Sequence, residues 1–206
     1  MDKTRVEAFS DGVLAIAITL LVLDLQPPAH GRGQLWHQLL RQWPNYASYS
    51  VSFAVIGIIW VNHHTMFRIV ARVDRPLLFL NLLTLLVVAA LPFPTALLAD
   101  NIRAGGTDAH VAAAVYSATM LATAVALVAM WQWVTKDGRL LRVPLDADTA
   151  RRSRRRYGLG IVVYVAALGL SFVSAPATLA LHFAIAVYYI FDQLPSPEPE
   201  PEPEPA

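Results

Sequence analysis

Apolar residues along the 206-residue chain gather into six runs, near residues 6–25, 46–67, 77–99, 109–134, 157–175 and 177–191, separated by polar segments. A helix that crosses a bilayer needs roughly 20 mostly apolar residues at about 1.5 Å rise each. The pattern therefore predicts six transmembrane helices, the last of them short. Between the fifth and sixth runs, Ser174-Ala175-Pro176 leaves little room for a loop and predicts a tight helical hairpin. Pro92 and Pro94 free backbone carbonyls within the third run, which predicts a kink rather than a chain break.

Composition narrows the class. With 56% apolar and 15% charged residues the chain does not suit a soluble domain. A net charge of +1 gives no field directed at nucleic acid, so no nucleic-acid partner is expected. Zero cysteines exclude a disulfide framework, a thiolate nucleophile and a Cys-ligated metal. The expected fold is an all-α polytopic membrane protein over residues 1–194. Residues 195–206 alternate Pro and Glu, which predicts an extended, disordered tail outside the functional reading.

Basic residues set the expected orientation. With six spans, one side holds Lys3, Arg5, Arg68, Arg72, Arg75 and the eight Lys and Arg residues between 136 and 156, which is 13 of 16; the other holds Arg32, Arg41 and Arg103. The positive-inside rule then puts both termini in the cytoplasm. The Arg151–Arg156 cluster reads as a topology anchor, or as a site for anionic headgroups. Lys3 and Arg5 before a short apolar stretch resemble a signal peptide, but Glu7 and Asp11 fall in the would-be basic region and no small-x-small cleavage site precedes Pro27-Pro28.

The acids inside the runs, Glu7, Asp11 and Asp24, all lie in the first. Ionisable groups at membrane depth face a bundle interior or water, so this helix is the first functional candidate. Ile16, Thr19, Leu20 and Leu23 follow i, i+3, i+4, i+7 spacing and share one face. Two readings fit that face: a plain packing stripe, or a cation path with apolar rings that gate by dewetting and acids at its mouths.

The first run opens with Arg5-Val6-Glu7-Ala8-Phe9-Ser10-Asp11-Gly12. This resembles the Arg-x-x-x-Phe-Ser-Asp signature of the transmembrane protein 175 family of potassium channels. Trp60-Val61-Asn62-His63-His64, Asn81-Leu82 and Leu91-Pro92-Phe93-Pro94-Thr95 carry the resemblance through the third run; beyond it only hydropathy agrees. The single set of six runs resembles the prokaryotic form. The resemblance implies a homotetramer in a bacterial plasma membrane, with four copies of the first helix around a pore that passes potassium and other monovalent cations. It places the gate on Ile16, Leu20 and Leu23 and the selectivity hydroxyl on Thr19. It also makes Arg5, Phe9, Ser10 and Asp11 a structural network with Trp60, His63 or His64, and Asn81. Asp24 becomes an acid at the pore mouth.

No Thr-Val-Gly-Tyr-Gly filter is present, so selectivity would come from side chains and be modest. His63 and His64 point about 100° apart on a helix, which makes joint metal ligation awkward; no metal, cofactor or enzymatic activity is expected. A direct bond from one of these histidines to Asp11 or Ser10 is expected instead. His182 reads as a satisfied core histidine; His30, His37 and His110 lie in or near the outer loops. Trp43, Asn45, Tyr46 and Tyr49 read as an interfacial belt, a place where lipid would touch the protein. The competing function is an ion-coupled secondary transporter that uses Asp11 and the second-run histidines, against which no internal repeat is visible.

Overall fold

The computed structural model describes residues 2–28, 35–143 and 146–191. The Pro/Glu tail, His30 and Arg32 lie outside these residues. The described chain is all-α: α1 Lys3–Leu20, α2 Leu35–Arg41, α3 Trp43–Ile69, α4 Arg75–Ala89, α5 Pro92–Asn101, α6 Gly106–Thr135, α7 Ala147–Ser171 and α8 Ala175–Phe191, with 3-10 turns at Leu21–Asp24 and Lys136–Gly138. By length and composition, Lys3–Asp24, Trp43–Ile69, Arg75–Asn101 and Gly106–Gly138 are apolar enough to cross a membrane, and α8 is a shorter apolar helix.

Local chemistry explains most boundaries. Three helices open on an aspartate that accepts from the first turn: Asp2 from Thr4 N at 3.1 Å, Asp74 from Leu77 N at 3.0 Å and Asp146 from Thr149 N at 2.8 Å. The third run is split at Ala90–Leu91, because Pro92 and Pro94 have no N–H for the carbonyls of Val88 and Ala90. Shorter bonds replace them, Leu91 N to Val88 O at 3.0 Å and Phe93 N to Ala90 O at 3.1 Å. The backbone at Ala90 and Leu91 stays right-handed, so α4 and α5 follow one another as a kinked pair.

The structure corrects three expectations. The segment between the first two runs contains a helix, α2, with Leu35, Trp36 and Leu40 exposed. The fifth helix begins ten residues before the expected 157, so Arg151–Arg156 lie on α7 and not in a loop; its aspartate cap outweighs the charge of that segment. The first helix tightens into the 3-10 turn before residue 25.

In lipid there is little hydrophobic force between helices, so packing and polar bonds hold the bundle. α1 packs on α3 and α4, α3 on α5 and α8, and α6 on α4, α5 and α7. Ser52 Oγ lies 2.8 Å from Thr95 Oγ1 and 3.0 Å from Tyr116 Oη, and Ser117 Oγ lies 3.0 Å from His182 Nε2. Tyr164 stacks on His182 at 5.8 Å. These residues form a polar layer across α3, α5, α6, α7 and α8. His182 is only half-satisfied, since its buried Nδ1 has no partner among the described residues.

One end of the bundle is clasped by loops. Asp137 and Gly138 take positive φ of 58° and 66°, turning the chain so that Ala71 N donates to Leu140 O at 2.7 Å and Arg142 N to Ile69 O at 2.9 Å. Asp74 also accepts from Trp133 Nε1 at 3.1 Å and from Arg139 at 3.1 Å. Asp74→Ala removes the α4 cap and both cross-links, so it should cost about 1–2 kcal/mol. Thermal melting of the purified protein checks this: Asp74→Ala should melt clearly below the wild type, and Arg139→Gln, which loses only a partly exposed ion pair, should fall much less.

Candidate functional site

α1 has two dissimilar faces. Val6, Ser10, Leu14, Ala17 and Leu21 are buried, following the 4,4,3,4 spacing of one helical stripe. On the other side Phe9 is 56% exposed, Ile16 61%, Leu20 41% and Leu23 63%. An apolar stripe of this length is left uncovered by the rest of the chain.

Thr19 lies on the uncovered side, and its hydroxyl donates back to Ala15 O at 3.0 Å and Ile16 O at 2.9 Å. With its proton committed to the helix, the oxygen presents lone pairs outward. Asp24 ends the 3-10 turn beyond Leu23, half-buried; its Oδ2 has no hydrogen-bond partner among the described residues, and Asp100 is its electrostatic neighbour. Near the other end, Lys3 pairs with Glu7 at 3.8 Å.

The buried face is held by a relay. Ser10 Oγ donates to Val6 O at 2.8 Å and accepts from Asn81 Nδ2 at 2.9 Å; Asn81 Oδ1 lies 2.7 Å from His63 Nε2. Ser10, Asn81 and His63 are at most 1% exposed. The Asn81 amide can donate from nitrogen and accept at oxygen, so one side chain on α4 joins α1 to α3. His63 is fixed further by stacking on Phe67 with ring centroids 4.5 Å apart. Nearer the surface, Trp60 Nε1 donates to Asp11 Oδ1 at 2.9 Å, and His64 stacks on Trp60 at 6.0 Å.

As the roughly 100° rotation between adjacent helical residues implies, the two histidines part company, His63 being buried and His64 exposed. The arrangement differs from the expected one in two respects. Neither histidine bonds Asp11 or Ser10 directly: Asn81 stands between Ser10 and His63, and Trp60 takes Asp11. Arg5 is exposed and makes no hydrogen bond or ion pair with described residues, and Phe9 points to the uncovered face. Among the described residues no group of three His, Cys, Asp or Glu could hold a metal. The polar layer of Ser52, Thr95, Tyr116, Ser117 and His182 was not anticipated; its only trace in the sequence is isolated hydroxyls in apolar runs.

A family model described as "Endosomal/lysosomal potassium channel TMEM175" matches residues 5–92, which include the relay and the uncovered stripe. A potassium channel of Streptomyces collinus is 58% identical over 195 residues, covering 94% of both chains. One of Chamaesiphon minutus is 40% identical over 188 residues, covering 90% of this chain and 92% of that one. The crystal structure of a lysosomal potassium-selective channel TMEM175 homolog from Chamaesiphon minutus superposes with a TM-score of 0.81 at 38% identity, covering 92% of this chain and 97% of that one.

Asn81→Leu would leave Ser10 and His63 each short of a buried partner, at about 1–3 kcal/mol per orphaned group. Melting curves should show a large drop for Asn81→Leu and a small one for Trp60→Phe, whose partner Asp11 is half-exposed and can be rehydrated. Equal drops would contradict the relay's leading role.

Proposed function

The chain belongs to the transmembrane protein 175 (TMEM175) family, and on that footing we propose that it is a potassium-preferring cation channel whose pore is lined by α1. The observation that carries this reading is the uncovered apolar face of α1, with Ile16, Leu20 and Leu23 exposed while the opposite face is buried. In a homotetramer four such faces meet around an axis. Ile16, Leu20 and Leu23 then form narrow apolar rings that close by dewetting and force an ion to shed water when open. Potassium gives up its hydration more readily than sodium, so this alone favours potassium modestly. The Thr19 ring adds four hydroxyl oxygens with lone pairs free to face the ion.

Six spans follow if α4 and α5 count as one kinked crossing and α7 and the shorter α8 cross as well, beside α1, α3 and α6. Both termini and the basic loops then lie in the cytoplasm of a bacterial cell, with the protein in the plasma membrane. Asp24 sits at the outer mouth, where a carboxylate concentrates cations. The relay through Asn81 is the scaffold that fixes the angle of α1, and Asp11 belongs to that scaffold because Trp60 engages it. The same bonds weigh against an ion-coupled transporter, since two of the groups that would load a coupled ion, Asp11 and His63, are bonded to neighbouring helices. No resident cofactor is needed.

Two measurements test the assignment. Ile16→Asn should raise potassium flux from proteoliposomes several-fold, because a polar ring stays wet; unchanged flux would mean α1 is not the gate. Thr19→Ala should shift the reversal potential in mixed potassium and sodium gradients toward the non-selective value, and an unmoved reversal potential would remove Thr19 from selectivity.

A further inference from the structure

The arginines on the first turns of α7 take no part in the proposed ion path. Arg151 pairs with Asp148 at 3.0 Å. Arg152 and Arg155, both exposed, make no hydrogen bond or ion pair with described residues; Asp146 acts on Arg152 only through space.

The same helix leads from these charges into an apolar groove. α7 and α8 form an antiparallel hairpin, and on one flank of it Leu159 and Val163 of α7 with Leu181, Ala184, Ile185 and Tyr188 of α8 line a groove of about 280 Å³. The four α8 residues follow i, i+3, i+4, i+7 spacing and share one face, on which Ala184 is the small member that leaves the floor open. Leu159 and Tyr188 are about half exposed, so the groove opens sideways to whatever surrounds the bundle. At the scale on which an apolar cavity of roughly 150 Å³ holds benzene, this space holds about ten carbons, the terminal half of an ordinary acyl chain.

Register puts the arginines in line with the groove. Arg152 precedes Leu159 by seven residues and Val163 by eleven, so on α7 it lies within about 20° of each; Arg155 lies about 40° from Leu159. Depth agrees as well. The close approach of Tyr189 to Gly160 and the stack of Tyr164 on His182 set α8 against α7. Leu181 is then level with residues 165–168, which stand ten to thirteen residues beyond Arg155, or about 15–20 Å. Half a bilayer, from midplane to headgroups, is also about 15–20 Å. A chain whose tip lies near Leu181 therefore carries its phosphate to Arg155 and Arg152, where a guanidinium can donate two parallel bonds to it.

We propose that the flank of the α7–α8 hairpin binds one anionic phospholipid per subunit, with an acyl chain in the groove and the phosphate on Arg152 and Arg155. The assignment rests on the six-span reading above but not on ion conduction. The test relipidates the detergent-purified full-length protein with equal parts dioleoyl phosphatidylglycerol and dioleoyl phosphatidylcholine and counts retained lipid by native mass spectrometry. The expected result is about one phosphatidylglycerol per chain, enriched several-fold over phosphatidylcholine. The double variant Arg152→Gln with Arg155→Gln should bring the two lipids to parity. Ala184→Trp, at an exposed position that fills the groove, should lose both, whereas Val165→Trp, exposed on the far side of α7, should retain them. Leu159→Trp is a second filling variant should Ala184→Trp fail to fold, with size-exclusion chromatography as the check. No preference between the headgroups, or unchanged retention in the filled variants, would overturn the proposal. So would retention that appears only once residues 195–206 are removed, since the glutamates of that segment would then be the partners of the arginines. Lost lipid binding with intact potassium flux would count against this site alone, and retained lipid without flux against the channel reading alone.

Discussion

Inside a bilayer a buried polar group has no water to turn to, so each must be answered by another part of the protein. Asn81 meets that constraint for two helices at once. Its amide donates to Ser10 and faces His63, with both partners almost wholly buried. Because little hydrophobic force acts between helices in lipid, such directional bonds decide how far a helix is rotated about its own axis. The rotation of α1 is therefore set by what Ser10 must reach, and the identity of its opposite face follows from that rotation.

That opposite face has the properties a conducting path without a backbone filter requires. Ile16, Leu20 and Leu23 present hydrocarbon, and Thr19 presents an oxygen whose proton is spent on its own helix. On the proposed reading the scaffold and the path would share one helix but use different sides of it, with Asp11 held by Trp60 and Asp24 beyond Leu23 at the proposed mouth. The rest of the bundle, with its polar layer from Ser52 to His182 and its loop clasp at Asp74, supports α1 through α3 and α4 and leaves that stripe uncovered.

The helical class and most helix positions were legible in the sequence, because membrane length and apolar runs are tightly linked. Boundaries were less so where a local interaction overrode hydropathy. Asp146 caps α7 eleven residues before the apolar run starts, and Pro92 together with Pro94 divides the third run into two helices. Within the site, periodicity placed Ile16, Thr19, Leu20 and Leu23 on one face, and the resemblance named Ser10, Asp11, Trp60 and Asn81. Pairing was not legible: which of two adjacent histidines turns inward depends on the rotation of α3, and the insertion of Asn81 between Ser10 and His63 depends on the approach of α4. His182 shows the same limit, since a lone histidine in an apolar run does not reveal that Ser117 meets one of its nitrogens and nothing described meets the other.

The central claim is that the face of α1 opposite Ser10 lines the ion path, and the absence of native cysteine makes it directly accessible. Single cysteines introduced along α1, treated with a water-soluble thiol reagent while potassium flux is followed, read out which face meets the path. The account predicts modification and loss of flux at positions 16, 19, 20 and 23, with positions 14, 17 and 21 unreactive. Reactivity of the buried positions, or flux indifferent to modification of the uncovered ones, would contradict it.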